Sequence, residues 1–303
     1  MLKYCLVALA LKASSLNSTT RSLYRRLGNS IGARRRAMWK VPGYYFNRVE
    51  RNLRWCARYG PLLSGDFLAE IGTGWVHWEA LTLRLFYDFH AVLYDVWDNR
   101  QLDALKNYLR QLRERFGKDG YLQEYDLERA SWHVDKIEQI SSFEGLYRLL
   151  GFRYVLEPSG TLQCLDSGRF RVTVSAAVME HIDAATAPIF VGQLGRITAP
   201  GGIASHSINI GDHLTNYDCT MSDKEYLRFS ESTWKRWYEN QVQYINLIQR
   251  GDWLRYFDNA GLHLVEEDSS YTDISKLWIA PQFQHLSKQD LECVSFYGIF
   301  RKG

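Results

Sequence analysis

The sequence predicts an α/β protein built on one doubly wound, mostly parallel sheet of seven strands with helices on both faces. Short apolar runs alternate with stretches of helical spacing between about residues 67 and 208, as they do in βαβ units. The last two apolar runs, 262–266 and 293–300, are hairpin-like and indicate that the sheet ends in an antiparallel strand. A basic helical segment precedes the first strand, and a polar, aromatic-rich segment follows the fifth.

The first strand and the helix after it show how each element is predicted. Phe67–Ile71 is a short apolar run that ends in glycines, which is typical of a buried parallel strand. Trp78, Leu81, Leu85 and Phe89 then recur at helical spacing. The same criteria predict further strands at 91–94, 153–156, 170–175 and 203–208, further helices at 101–116, 134–150 and 184–198, and a mostly helical insert at about 211–259.

Charge is distributed unevenly along the 303 residues, although the net charge is only +3. Residues 1–60 contain 13 lysines and arginines against one acid, whereas the other 243 contain 24 against 33 acids. We therefore predict a basic helical extension over 1–62 and one α/β domain over 63–303. The charge of the extension fits a solvated helix face, an anionic acceptor, a membrane surface or nucleic acid.

The cysteines and the hydropathy pattern exclude several classes of protein. The five cysteines are scattered and odd in number, which fits neither a disulfide framework nor a zinc site. No run of 18 apolar residues predicts a membrane-spanning helix. We therefore expect a cytoplasmic protein that contacts a membrane surface, if at all, through residues 1–36.

The strongest local motif lies at the first strand-to-helix junction, where the chain reads Glu70-Ile71-Gly72-Thr73-Gly74-Trp75. Glycines there allow close approach of a ligand, and the helix that follows offers its positive end. His77 stands where the dinucleotide fingerprint has its third glycine, which argues against an NAD pyrophosphate site. Asp95 closes the next predicted strand, and no P-loop motif is present.

Two later motifs complete an ordered set over residues 67–208. Ser175-Ala-Ala-Val-Met-Glu-His-Ile182 follows the fourth strand, and Pro200-Gly201-Gly202 opens the fifth. Together with the glycine turn and Asp95, they resemble the motifs of the class I S-adenosylmethionine-dependent methyltransferases, most of all those acting on small molecules. The resemblance implies a Rossmann-like fold, S-adenosyl-L-methionine as cofactor and methyl transfer as the reaction.

The resemblance also implies roles for individual residues. Glu70 would hold the methionine amino end, and Asp95, or Asp98 if the strand is longer, would bind the ribose hydroxyls. The adenine contact is left open, because Glu157 or Ser159 stands where the family usually has an aspartate. The cofactor-binding residues implied in this way are Glu70, Gly72, Thr73, Gly74, Trp75, Asp95, Asp98, Ser175 and Ala176.

Methyl transfer to a hydroxyl requires a base, and histidine is best matched to neutral pH. His181, His206 and His213 all fall at or after carboxyl ends of predicted strands, where such sheets bind ligands. His213 is the favoured base or substrate contact because it lies in the loop over the predicted site, while His206 also fits a core histidine. Asp212, His213 and Glu180 leave a metal-assisted alternative open, but we assign no metal ligand.

The acceptor is predicted only by class. We expect O-methylation of a small-molecule or glycosidic acceptor, and Arg228 in the insert favours an anionic one. Methylation of sulfur or nitrogen stays open, while an RNA methyltransferase and an NAD-dependent oxidoreductase are the less favoured alternatives. The oligomeric state is not predicted. The predicted substrate-binding residues are Asp212, His213, Tyr217, Arg228 and Trp234.

Overall fold

A computed structural model describes all 303 residues and contains a seven-stranded sheet of order β3-β2-β1-β4-β5-β7-β6. Strands β1 to β5 run parallel, and β7 lies antiparallel between β5 and β6. This confirms the predicted sheet and its antiparallel last strand. The strands are β1 Phe67–Ile71, β2 His90–Asp95, β3 Phe152–Leu156, β4 Phe170–Ala176, β5 Thr198–Asn209, β6 Leu262–Tyr271 and β7 Cys293–Lys302.

The position of β1 in the sheet determines where a ligand can bind. Glu70 of β1 is in register with Leu93 of β2 and with Val174 of β4. Strands β1 and β4 are neighbours in the sheet, with β2 and β3 following on the side of β1 and β5, β7 and β6 on the side of β4. In doubly wound sheets, ligands bind at such a switch point, outside the carboxyl ends of the strands.

Eleven α-helices and five short 3-10 helices surround the sheet. Polar side chains begin several of them: Asn17, for example, accepts a hydrogen bond from the backbone N–H of Thr20. The helices are α1 Leu2–Ser14, α2 Ser18–Met38, α3 Gly43–Tyr59, α4 Trp78–Phe86, α5 Leu102–Arg113, α6 Leu127–Glu138, α7 Phe143–Leu150, α8 Ala187–Ile197, α9 Glu231–Trp237, α10 Arg250–Asn259 and α11 Lys288–Glu292. The 3-10 helices are Lys118–Gly120, Met179–His181, His213–Asn216, Glu225–Arg228 and Pro281–Phe283.

Two predicted segments differ from the structure. The single helix predicted at 134–150 is two helices, because Ser142 caps the start of α7 by accepting a hydrogen bond from Gly145 N–H. The insert predicted as mostly helical contains four short helices, two of them 3-10, joined by irregular segments. Its helix α9 stops before Asn240, whose side chain accepts hydrogen bonds from the N–H groups of Val242 and Gln243 and so favours a turn.

Three apolar clusters hold these elements together. The largest joins the sheet to α3–α7, and a second joins its other face to α8 and α10. The third joins α1 to the insert after β5, with Tyr4 and Ala8 packed against Leu214 and Tyr226. The N-terminal helices therefore pack onto the rest of the molecule, and the predicted domain boundary at residue 62 falls between α3 and β1.

No helix of the protein combines the length and the apolar character that crossing a bilayer requires. All five cysteines are free thiols, of which Cys56 and Cys293 are buried.

Candidate active site

The glycine turn lies where β1 ends, at the carboxyl edge of the sheet. Gly72 and Gly74 both have positive φ, +66° and +60°. A Cβ on Gly72 would come within 2.4 Å of a Val178 methyl group, so only glycine fits beneath the loop that follows β4. A Cβ on Gly74 would meet only the Gly72 carbonyl oxygen, at 3.8 Å. The backbone at Gly74 thus borders free space where a ligand can approach.

Asp95 is the last residue of β2 and joins that strand to the glycine turn. Its Oδ2 accepts a hydrogen bond from Gly74 N–H at 2.8 Å, and its Oδ1 accepts from the N–H groups of Val96 and Trp97. Burial raises the pKa of Asp95, although these three donors oppose the shift. A carboxylate is therefore held at the sheet edge, directly beside the turn.

Asp98 is the residue that the sequence left as an alternative to Asp95. Strand β2 ends at Asp95, so Asp98 lies beyond the strand. Its half-exposed carboxylate pairs with Arg100 at 2.8 Å, and this hydrogen bonding lowers the pKa of Asp98. The structure therefore assigns the strand-ending position to Asp95 alone.

Glu70 lies within β1 with its carboxylate directed into the interior. Its Oε2 accepts a hydrogen bond from Ala80 N–H in the first turn of α4, at 2.8 Å. The neighbouring Glu79 pairs with Arg48. Burial, followed by the charge of Glu79, raises the pKa of Glu70 well above its usual range. In this structure Glu70 joins β1 to α4, and its contact with a ligand stays a prediction.

Three further residues complete the turn. His77 occupies the third-glycine position in a left-handed conformation, with φ +50°, and it is fully buried. Its Nδ1 lies 2.6 Å from Thr73 Oγ1 and its Nε2 lies 3.1 Å from Tyr147 Oη. Burial lowers the pKa of His77 to about 3, so the ring is neutral. Trp75 lies under the Arg36 guanidinium of α2, at 3.6 Å from the ring centroid.

Helix α2 covers the loops that follow β1 and β2. Besides the contact between Arg36 and Trp75, the guanidinium of Arg25 lies 4.0 Å from the centroid of Trp97. Arg36 Nε also donates to Gln101 Oε1 at 2.8 Å. The basic helix α2 therefore covers the predicted cofactor-binding loops. The sequence did not indicate this position.

Helix α1 covers the adjoining insert. Tyr4 is buried and its hydroxyl donates to Asp212. Lys12 Nζ donates to the carbonyl oxygens of Lys235 and Glu239. The hairpin of α1 and α2 thus spans the sheet edge from the cofactor loops to the predicted acceptor insert.

Ser175 and His206 form a buried pair at the ends of β4 and β5. Ser175 Oγ and His206 Nδ1 lie 2.8 Å apart, and the imidazole stacks on Phe257. Burial lowers the pKa of His206 to about 3. His206 is therefore a neutral core histidine whose Nε2 has no hydrogen-bond partner, and Ala176 is half-buried beside it at the end of β4.

His181 and His213 lie edge to face, with ring centroids 5.3 Å apart. His181 Nδ1–H donates to the Tyr244 carbonyl oxygen at 2.6 Å. His213 Nε2 is buried and has no hydrogen-bond partner. Burial, followed by the proximity of His181, lowers the pKa of His213 to about 4. His213 is therefore a neutral imidazole whose Nε2 is free to form a hydrogen bond with a ligand.

A small cleft adjoins His213. Asp212 and Trp234 line it as well, so three of the predicted substrate-binding residues meet there. Tyr217 lies outside its lining and its hydroxyl accepts a hydrogen bond from Gln243. Arg228 also lies outside and pairs with Glu225 at 2.7 Å. The structure thus places Arg228 and Tyr217 outside the lining of this cleft, although Tyr217 contacts Gln243, which lines it.

A second small cleft lies between the end of β5 and the segment 245–248. Glu180 lines it with a carboxylate that is 2% exposed and has no hydrogen-bond partner for either oxygen. Burial raises the pKa of Glu180 to about 8. The sequence motif around His181 contained this residue, but its burial depends on the insert that packs over it. Ile245 lines both clefts, so they adjoin.

The structure brings together no three His, Cys, Asp or Glu side chains in a metal-binding arrangement. The metal-assisted alternative built on Asp212, His213 and Glu180 therefore has no geometric support.

No protein-family model and no curated protein matches this chain. Among solved structures, it is similar to Haemonchus contortus phosphoethanolamine N-methyltransferase 2 in complex with S-adenosyl-L-methionine, with a TM-score of 0.46 and 14% identity over 84% of this chain and 52% of that one. A putative sarcosine dimethylglycine methyltransferase from Galdieria sulphuraria gives a TM-score of 0.48 and 12% identity over 85% and 86%. Burkholderia thailandensis 1,6-didemethyltoxoflavin-N1-methyltransferase gives 0.45 and 11% over 85% and 78%.

This chain spans about half the length of the first of these proteins. At such identities and TM-scores, the likeness carries no argument about activity. The fold assignment accordingly rests on the strand order and the antiparallel β7.

Proposed function

We propose that the protein is an S-adenosylmethionine-dependent methyltransferase of a small-molecule acceptor. One observation carries the proposal: the hydrogen bond between Asp95 and Gly74 places a carboxylate and an open glycine backbone together at the switch point of the sheet. A ligand with a diol and a zwitterionic amino-acid end needs such a pairing of acceptor oxygens and accessible backbone.

The hydrogen-bonding groups of the site match those of this cofactor. Asp95 would accept hydrogen bonds from the ribose hydroxyls, and the backbone at Gly74 would border the methionine end. Trp75 and helix α2, in contact through Arg36, would cover the cofactor on one side. The bound cofactor would supply an electrophilic methyl group, so the chain would mainly have to position the two reactants.

His213 is the proposed base that removes the proton of the acceptor hydroxyl. Its Nε2 is buried beside the first cleft without a partner, and the depressed pKa keeps the ring neutral at physiological pH. A neutral imidazole can take a proton from an acceptor hydroxyl, which favours oxygen as the methylated atom.

The charge of the clefts favours a neutral or cationic acceptor over the anionic one that the sequence indicated. The carboxylic acids that line them are Asp212, Glu239 and Glu180, and no lysine or arginine lines them. Arg228 and Lys235 instead pair with Glu225 and Glu231. An amine acceptor is the second candidate, because the buried carboxyl group of Glu180 has no hydrogen-bond partner and would accept a hydrogen bond from an ammonium group.

Ligand-induced thermal shifts and a turnover assay test the proposal on the full-length protein. We expect S-adenosylmethionine and S-adenosylhomocysteine to raise the unfolding temperature and NAD to leave it unchanged. Transfer of a labelled methyl group is then followed with matched neutral, cationic and anionic hydroxyl and amine acceptors. Stabilisation by NAD alone would contradict the proposal and favour an oxidoreductase.

A further inference from the structure

The outer face of the α1–α2 hairpin is unusual for its exposed apolar side chains. Half of the large hydrophobic residues that the protein exposes, 11 of 22, lie within its first 44 residues. On α2, Leu23, Leu27 and Ile31 follow one another at four-residue spacing and are 57%, 54% and 55% exposed. We call these three residues the outer row. Such spacing places all three on one side of the helix.

Helix α1 has a comparable row. Leu2, Leu6 and Leu9 lie one turn apart and are 76%, 58% and 46% exposed. The opposite side of α1, with Tyr4 and Ala8, is buried against the insert. Both helices therefore pack on the protein with their inner sides and still expose apolar side chains to solvent on their outer sides.

The charge around the outer row is positive and unbalanced. Arg26 lies one turn from Leu23, and Arg34 and Arg35 lie one turn from Ile31; all three arginines are exposed. None of the six arginines of α2 forms an ion pair, and the helix contains no acid. The face thus combines an apolar row with flanking guanidinium groups that have no counter-ion in the protein.

We infer that this face docks the protein on an anionic phospholipid bilayer. An interfacial helix buries its apolar side at the boundary between headgroups and acyl chains while its arginines meet anionic headgroups. Nucleic acid would satisfy the arginines but leave the outer row in water. A second copy would bring two arginine-rich faces together without any acid between them.

The inference does not depend on the proposed activity, since it rests only on the outer side of the hairpin. The inner side of the same hairpin covers the candidate active site through Arg36 and Tyr4. Docking would therefore bring that site to the membrane surface without inserting any strand of the sheet.

Co-sedimentation of the full-length protein with vesicles tests the inference. Vesicles of one part phosphatidylglycerol to two parts phosphatidylcholine are compared with vesicles of phosphatidylcholine alone. We expect binding to the anionic vesicles that weakens with added salt, and little binding to the neutral ones.

Two triple variants separate the contribution of the apolar side chains to vesicle binding from that of the charged ones. Changing Leu23, Leu27 and Ile31 to serine is expected to weaken binding at least about tenfold. Changing Arg26, Arg34 and Arg35 to glutamine is expected to weaken it roughly a hundredfold, at about 1 kcal/mol for each charge near the surface. The matched control changes the comparably exposed Leu63, Ile189 and Trp278 to serine, and its binding should equal the wild type's.

Several results would overturn the inference. Failure of the wild type to bind anionic vesicles would do so, as would equal loss of binding in the control variant. Tighter binding to a duplex or single-stranded RNA that survives the three serine changes would assign the face to nucleic acid. A dimer in solution that those changes dissociate would assign it to a second copy.

Discussion

The carboxylate of Asp95 accepts a hydrogen bond from the backbone N–H of Gly74 at 2.8 Å, and so binds the end of β2 to the turn after β1. Both groups are small parts of motifs that are 21 residues apart in the chain. Their contact forms one wall of the candidate cofactor site.

Replacing Asp95 by alanine should weaken S-adenosylmethionine binding roughly tenfold to a hundredfold, because hydrogen bonds to a charged group contribute about 1.5–3 kcal/mol. Isothermal titration with the full-length protein measures the change. The control is Asp98→Ala, which removes a nearby carboxylate paired only with Arg100. Equal losses in both variants would show that local charge, rather than the position of Asp95, determines affinity.

The two glycines of the turn should respond differently to alanine. Gly72→Ala combines a positive φ with an approach of 2.4 Å to Val178, and we expect it to lower the free energy of unfolding by about 2–4 kcal/mol. Gly74→Ala should lower the free energy of unfolding by only about 1 kcal/mol, the cost of its backbone conformation. Relative to this loss of stability, it should weaken cofactor binding more than Gly72→Ala does. Chemical denaturation and titration measure the two effects.

Val178→Ala serves as the control for this comparison. In the Gly72→Ala background it makes room for the new methyl group and should recover part of the lost stability. If it recovers none, the overlap with Val178 is not the cause of the loss.

Replacing His213 by glutamine should lower turnover by roughly a hundredfold or more while leaving cofactor affinity unchanged. The pH profile of the wild type is a sharper test. Because the pKa of His213 lies at about 4, its base form should persist through the whole range from neutral pH to about pH 5. A fall in turnover centred near pH 6.5 would point instead to a base with an ordinary histidine pKa.

Glu180 should make the stability of the protein depend on pH. Its pKa is raised to about 8 in the folded protein from 4.5, so its stabilising protonated form is complete below about pH 4.5 and is lost as the pH rises through about 8. Relative to Glu180→Gln, the wild type should lose roughly 3 kcal/mol between about pH 6 and pH 9. Thermal and urea unfolding at a series of pH values measure this difference.

Glu157→Gln is the matched control, since Glu157 also follows a strand but is only partly buried and accepts a hydrogen bond from Ser159 N–H. Its difference from the wild type should stay constant over the same range of pH. A parallel pH dependence in both variants would contradict the assignment to Glu180.

Much of the fold could be predicted from local patterns. The buried run at β1, the glycines after it and the acid at the end of β2 are neighbours in sequence, so their periodicity and turn chemistry were sufficient to place them. The parallel sheet followed because strands alternate with helical stretches, as in βαβ crossovers, whereas the order of the strands in the sheet came from the structure. The choice of Asp95 over Asp98 required the observed end of β2.

The insert after β5 was predicted less well. Its aromatic residues occur at spacings that fit a helix, but the polar turn at Asn240 and the packing of α1 determine its course. The pairing of Arg228 with Glu225 also depends on that folded course, and the sequence alone did not indicate it.

By itself, the sequence determined the succession of strands and helices along the chain, the glycine turn at Gly72–Gly74 and an acid at or just after the end of the second strand, because these depend on local periodicity and turn chemistry. Only the tertiary structure decided that α2 lies over Trp75, that Glu70 turns inward to Ala80, and that Glu180 is buried without a partner. Those features arise from contacts between distant segments. Burial and packing, rather than local periodicity, determine which side chains meet there.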